Sequence, residues 1–189
     1  MNDQKGRTRN VLSFLRAAVC RMDCVAGILY KTIYFVHTHT KKDGQSMKKE
    51  DIRLLREIQK NAERGIKTID LLKDKIYDDS LAMQLTRQSL YYAQLKNRAV
   101  EGLLRGRLQP AVENKLEGML LAGELKRDTL FDTSTSHVAE LVIRQENKGI
   151  TSMCRSLNQC SQASRYCTEI ANEFLDSEEK NVAHLRKYL

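Results

Sequence analysis

His137 and Glu140 stand three residues apart on one predicted helix, the spacing that puts two side chains side by side on one helical face, as a pair of metal ligands requires. Glu63 lies near the centre of the first amphipathic helix, Glu146 close to the equivalent place in a later repeat, and Glu173 on the last helix. Carboxylates and imidazole together suit a divalent metal ion. The neighbours of these residues point the other way. Glu63 is followed by Arg64 and Lys67, Glu146 is flanked by Arg144 and Lys148, and His137 follows a Thr-Ser-Thr-Ser run ending at Ser136. Alternating charge of this kind marks a solvated helix face, and a hydroxyl run before a helix marks a cap.

Other chemistry is thinly represented. The chain has no glycine-rich phosphate loop, nucleophile elbow or zincin helix. Ser134, Ser136 and His137 lie together, but a triad also needs an orienting carboxylate in space. The five cysteines, at 20, 24, 154, 160 and 167, are odd in number and form no C-x-x-C pair, which speaks for a reducing cytoplasm over a disulfide framework. Cys20 and Cys24 with His37 and His39 can be drawn as a zinc site, although the two histidines are too close for a finger. Cys154, Cys160 and Cys167 read as small buried apolar residues, with redox sensitivity as the alternative for any that is exposed. The expectation is no catalytic residue and no cofactor, with iron or another divalent metal as the alternative.

The elements that would position these groups are helical. With one proline and nine glycines in 189 residues, the composition predicts an all-α fold. Apolar residues at Ile52, Leu55, Ile58, Ala62, Ile66, Ile69, Leu72 and Ile76 form one stripe at steps of three and four. Asp78, Asp79 and Ser80 then break the chain and cap a second helix, which buries Leu81, Leu85, Tyr92, Leu95, Ala99 and Leu103 and ends around Gly102, Gly106 and Pro110. A third helix is predicted over Val112 to Phe131 with Leu116, Met119, Leu120 and Leu130 inward. Two more follow over 136–158 and 162–188, lined by Val138, Val142, Met153 and Leu157, and by Ala163, Ile170, Phe174 and Leu185. Leu54, Leu71 and Leu104 are read as a second, outward apolar stripe that favours oligomers.

Two segments share one pattern. Ile58 to Ile69 (IQKNAERGIKTI) and Val142 to Met153 (VIRQENKGITSM) align on Gly65 and Gly149, so that Ile58, Ile66 and Ile69 fall on Val142, Ile150 and Met153. This is the layout of a duplicated helical hairpin, with the third helix as crossover. A mid-helix glycine costs about 1 kcal/mol relative to alanine, so both glycines are expected at close helix contacts.

The formal charge of +8 is uneven: residues 1–47 hold eight Lys/Arg against three Asp/Glu, and the rest 24 against 21. The main body is therefore a mixed surface, which argues against a nucleic-acid partner. Residues 11–36 are apolar in patches, but Arg16, Arg21, Asp23 and Lys31 interrupt any bilayer-spanning window, and the same charges spoil a signal peptide; a basic helix docked on a membrane surface is the alternative if the segment is translated. Met47 directly precedes the first clean amphipathic helix. The reading is an extension over 1–46, with a polar hinge at Thr38 to Ser46 and translation starting at Met47, followed by a helical domain over 47–189.

In the order of its helices, residues 50–189 resemble the ferritin-like four-helix bundles, and specifically an uncharacterised bacterial family of them. The resemblance rests on EIQKNAERG (Glu57 to Gly65) in the first helix, on EGMLLAGELKRD (Glu117 to Asp128) in the crossover, and on the repeat of the first helix in the fourth. EEKNVAHLRKYL (Glu178 to Leu189) is similar to the last helix of rubrerythrin-type proteins. The resemblance implies an up-down bundle of two hairpins. In metal-bearing members two helices each give a Glu and two each give a Glu-x-x-His. Here Leu81 to Ala99 contains no Asp, Glu or His, and Glu178 is followed at the third position by Asn181. The implied site is degenerate, with Glu63, His137, Glu140, Glu146 and Glu173 as the remaining candidates. The expected function is non-catalytic association, with itself or a protein partner, in a bacterial cytoplasm or a stress- or spore-related assembly. Iron handling or peroxide defence is the alternative.

Overall fold

A computed structural model describes residues 47–112 and 114–189. They fall in one of the two units into which the chain divides, residues 46–189. The expectations for residues 1–46, including the hinge, the start site and the Cys20/Cys24 pair, lie outside the described residues. All regular structure among them is helical: α1 (Lys49–Leu72), α2 (Asp79–Arg105), α3 (Lys115–Asp128), α4 (Thr135–Gln159) and α5 (Arg165–Leu185), with 3-10 turns at Lys73–Lys75 and Arg186–Tyr188. None of these helices is long and apolar enough to cross a membrane.

Side chains cap three of the five α-helix N-termini. Asp78 accepts a hydrogen bond from the Leu81 amide at 2.7 Å, Asn114 accepts from Leu116 and Glu117 at 3.2 and 3.4 Å, and Ser134 accepts from His137 at 3.2 Å. Each satisfies amides that a first helical turn leaves free. The end of α2 is closed by paired bonds from the Leu108 amide to the Leu103 carbonyl (3.0 Å) and from Arg107 to Leu104 (2.9 Å), with Arg107 in the left-handed region at φ 57°. This is the Schellman arrangement.

The first two long helices run antiparallel. Gly65 meets Tyr92, while Leu55, ten residues earlier, meets Gly102, ten residues later. α1 packs against each of the other helices, α4 against α1 and α5, and α2 against α1 and α5. The core is the predicted stripes brought together: Leu55, Ile58, Leu85, Leu95, Val138, Met153, Ile170 and Leu185 are all buried. Connections are tied down by α1. The Gln59 amide clamps Ala111 in both directions at 2.9 Å. Glu50 and Asp51 accept from the Gln162 and Ser164 amides at 2.6 and 2.5 Å.

Several expectations are corrected. α1 ends at Leu72, and Ile76 packs against the core from beyond the 3-10 turn. The third helix is shorter than predicted, and Leu116, Met119, Leu120 and Leu130 are exposed; Leu121 and Leu125 are its buried residues. With leucine or methionine at 116, 119, 120, 121 and 125, the sequence offers two apolar arcs, and α1 covers only one. Leu54 is fully buried, so the proposed outer stripe of Leu54, Leu71 and Leu104 does not exist.

Candidate functional site

Four of the five residues singled out for their chemistry take part in ordinary surface interactions. Glu63 accepts from Gln59 at 3.1 Å and lies 3.8 Å from the Lys96 ammonium. Glu140 pairs with Arg144 at 2.9 Å, and Glu173 pairs with Arg98. His137 holds its Nε2 3.0 Å from the Asp128 carbonyl, with its Nδ1 3.8 Å from Glu140 and 3.9 Å from Asp132. It therefore ties the start of α4 to the end of α3. Half-exposed pairs of this sort contribute little, about 0–1 kcal/mol each.

Glu146 is different. It is 4% exposed, and in the middle of the bundle it faces a carboxyl that the sequence reading set aside, Glu178, which is 2% exposed. α4 supplies the first and α5 the second, and α2 adds Gln88 and Tyr92. The Gln88 side-chain amide donates to Glu146 and lies 2.7 Å from the Tyr92 hydroxyl. Tyr92 in turn bonds Glu178. The four side chains form a chain of polar contacts around a cavity also lined by Thr68 and Gly149. Its space open to the centre of a water molecule is about 20 Å³, room for a single water and not for an organic substrate.

Burial decides the protonation states. It raises the Glu146 carboxyl to about 9, helped by the nearby charge of Glu178 and opposed by the Gln88 hydrogen bond. Burial raises Glu178 to about 8, opposed by its bond to Tyr92. The Tyr92 hydroxyl is pushed well up by burial and then by the two acids. Burial thus favours the protonated form of both acids, in which each is a donor as well as an acceptor. One oxygen of each, together with Gln88 Oε1 and Thr68 Oγ1, has no protein partner.

The donor set does not match the centre that the ferritin resemblance implies. Such a centre takes four carboxylates and two imidazoles, whereas this cluster offers two carboxyls, an amide and a phenol. Among the described residues no group of three or more His, Cys, Asp or Glu side chains gathers closely enough to hold an ion. Of the three cysteines expected to be buried, Cys160 and Cys167 are, whereas Cys154 is exposed, which corrects that reading for it; all three are free thiols.

Glu178 and Gln88 were legible as stripe positions. Gln88 continues Leu81, Leu85, Tyr92, Leu95 at steps of four and three, and Glu178 continues Ile170, Phe174, Val182 at steps of four. A polar residue on an apolar stripe is the signal, and a search for Glu-x-x-His spacing passes over it. Comparison of the chain with protein families, with curated proteins and with solved structures finds no match.

Proposed function

We propose that this chain is a ferritin-like bundle of two hairpins joined by a helical crossover, one that keeps the bundle without the metal chemistry and works by association with itself or a protein partner. The setting that fits is a bacterial cytoplasm or a stress- or spore-related assembly. The observation that carries the reading is the crossover helix, whose outer side presents Leu116, Met119 and Leu120 to solvent. Apolar patches of this kind mark interaction surfaces. The two hairpins meeting through α1 support the ferritin-like arrangement, and the chemistry of the core supports a non-catalytic role. Its cavity has room for a single water and not for an organic substrate.

A metal-binding role in iron handling or peroxide defence draws on one observation, the unpartnered oxygens of Glu146 and Glu178. One measurement separates the two readings. The full chain is loaded anaerobically with ferrous iron, desalted, and its metal content determined per folded chain. Retention of no iron is expected. Retention of one or more irons per chain overturns the non-catalytic reading and turns attention to Glu146 and Glu178.

A further inference from the structure

A cleft runs between the N-terminal half of α2 and the C-terminal half of α5. It offers about 590 Å³ of space to the centre of a water molecule, against about 20 Å³ for the core cavity, which is enough for a small organic molecule. One face of each helix lines it: Ser80, Gln84, Arg87 and Tyr91 follow at steps of four and three on α2, and Ser177, Asn181 and His184 do the same on α5. Two groups inside it stand out. The side-chain nitrogens Nε2 of Gln84 and Nδ2 of Asn181 are buried, and neither has a hydrogen-bond partner in the protein. A buried donor left unpaired costs about 1–3 kcal/mol, so both call for something that accepts.

The charges around these donors run one way. Arg87 and His184 are exposed at the cleft, and the turn after α5 adds Lys187. Among the described residues none of the three is in an ion pair: Arg87 touches the Met83 sulfur at 3.2 Å, and the Lys187 ammonium stands 4.7 Å over the Tyr188 ring. The one acid of the lining, Asp79, lies eight residues before Arg87, about 12 Å along the helix. Of the other α5 acids, Glu178 is turned into the core and Glu173 is held by Arg98. Gln88 borders the cleft as well, but its amide is used on Glu146 and Tyr92. A second large cleft, along α1, is different: Lys49, Arg53, Arg56 and Lys60 stand there among Glu57, Glu63 and Glu117 and are offset by them. Free cations beside unpaired N–H donors select an anion.

The number of donors narrows the anion. Two amides, the hydroxyls of Ser80 and Ser177, a guanidinium and an ammonium border the same space. A carboxylate brings two oxygens and a single charge, whereas a phosphate monoester brings three strong acceptor oxygens and close to two charges. A guanidinium also forks onto phosphate oxygens in pairs. We infer that this cleft is a binding site for a small phosphorylated molecule, with Gln84 and Asn181 as its neutral donors and Arg87 and Lys187 as its counter-charges. The inference goes beyond the association reading and does not depend on it.

The test is calorimetric titration of the full chain with inorganic phosphate, at an ionic strength held constant with chloride. One saturable site per chain is expected. The Arg87→Gln/Lys187→Gln double variant, altered at two exposed positions, is expected to keep its helical circular dichroism and to bind about tenfold more weakly or worse. Asn181→Leu removes a buried donor without touching the surface charge and is expected to weaken binding too, while Lys49→Gln/Arg56→Gln in the other cleft binds as the parent does. A parent with no saturable site, or a site that persists in the Arg87/Lys187 variant, overturns the inference. So does a folded Asn181→Leu of unchanged affinity, which would make the phosphate an exposed counter-ion only; where that variant does not fold, the two charge variants decide. A chain that floats with phosphatidic acid vesicles yet never saturates with inorganic phosphate also overturns it, in favour of a lipid headgroup. Iron retention and oligomeric state bear on the earlier reading alone, so the two can fail separately.

Discussion

The two repeated segments, Ile58 to Ile69 on α1 and Val142 to Met153 on α4, occupy matching places in their hairpins, and the difference between them explains where the buried charge sits. With Gly65 on Gly149, Asn61 aligns with Gln145 and both are buried; Ala62 aligns with Glu146 and both are buried; Glu63 aligns with Asn147, and neither is. Glu63 and Glu146 are therefore not counterparts. They are offset by one residue, 100° around a helix, and that rotation is enough to place one carboxylate beside Lys96 and the other in the core. The second helix of each hairpin continues the parallel. Gly65 faces the Tyr92 ring and Gly149 the Phe174 ring, and the two rings lie 6.3 Å apart, within the range of favourable aromatic pairs. What breaks the symmetry is polarity: α2 brings Gln88 and a hydroxyl, and α5 brings Glu178.

The comparison is most severely broken by giving the first repeat the acid of the second. Ala62 is fully buried, and Ala62→Glu places there a carboxyl with no counterpart of Gln88 to bond it. A loss of about 3–5 kcal/mol is expected, the scale of an uncompensated buried charge, read as a fall in the urea midpoint. A loss below 1 kcal/mol would mean that α1 at this level has polar partners or water access that its burial denies.

Glu146→Gln sharpens the comparison from the other side. The folded pKa of Glu146, about 9, lies above its unfolded value of 4.5. A group raised in this way contributes stability that is fully present below pH 4.5 and is lost as pH climbs toward 9, because the unfolded chain has given up the proton while the folded chain holds it. Glutamine removes that dependence at one site. Glu178 on α5, raised to about 8, and Tyr92 on α2 keep theirs, and Arg64 on α1 lines the same cavity. The variant is expected to be the more stable of the two above pH 6, by an advantage that grows to about 1–3 kcal/mol by pH 8. Parallel stability curves for parent and variant between pH 5 and 8 would show that Glu146 is ionised in the folded protein. Glu63→Gln, at a surface ion pair, is the matched control and should change stability by less than about 0.5 kcal/mol.

How much of this was legible follows from the kind of signal each feature leaves. Helices with one apolar stripe declared themselves: Leu81, Leu85, Tyr92, Leu95, Ala99 and Leu103 are all buried as their spacing requires, because burial and periodicity are the same fact for a helix packed on one side. The short third helix, α3, did not, because apolar residues fall on both its sides, and nothing local says which side meets α1. The buried acids were half visible. Glu146 stood out by its place in the repeat, yet its flanking Arg144 and Lys148 disguised it, since those neighbours sit 160° to 200° around the helix from it and say nothing about its own face. Glu178 was hidden by a search for a ligand motif, although its place between Phe174 and Val182 marked it. That two such acids can share a core depends on Gln88 and Tyr92 arriving from a third helix, and such a meeting is tertiary.

The same substitution at the two glycines should have opposite signs. A Cβ on Gly65 would lie 2.5 to 2.9 Å from three atoms of the Tyr92 ring, and that ring has little room to move. It is buried, it packs on Phe174, and its hydroxyl is bonded to Gln88. A Cβ on Gly149 would meet Phe174 at 3.5 Å and the Asn61 side chain at 3.7 Å, ordinary van der Waals contact. Gly149→Ala therefore gains the helix propensity of alanine, up to about 1 kcal/mol, while Gly65→Ala spends that gain on overpacking of about 1–3 kcal/mol. Thermal midpoints of the two variants should fall on opposite sides of the parent. If both rise, Tyr92 yields to a methyl group without cost, and the first glycine is no tighter a contact than the second. If both fall, the second hairpin is packed as closely as the first, and the difference between the repeats reduces to the acid at position 146.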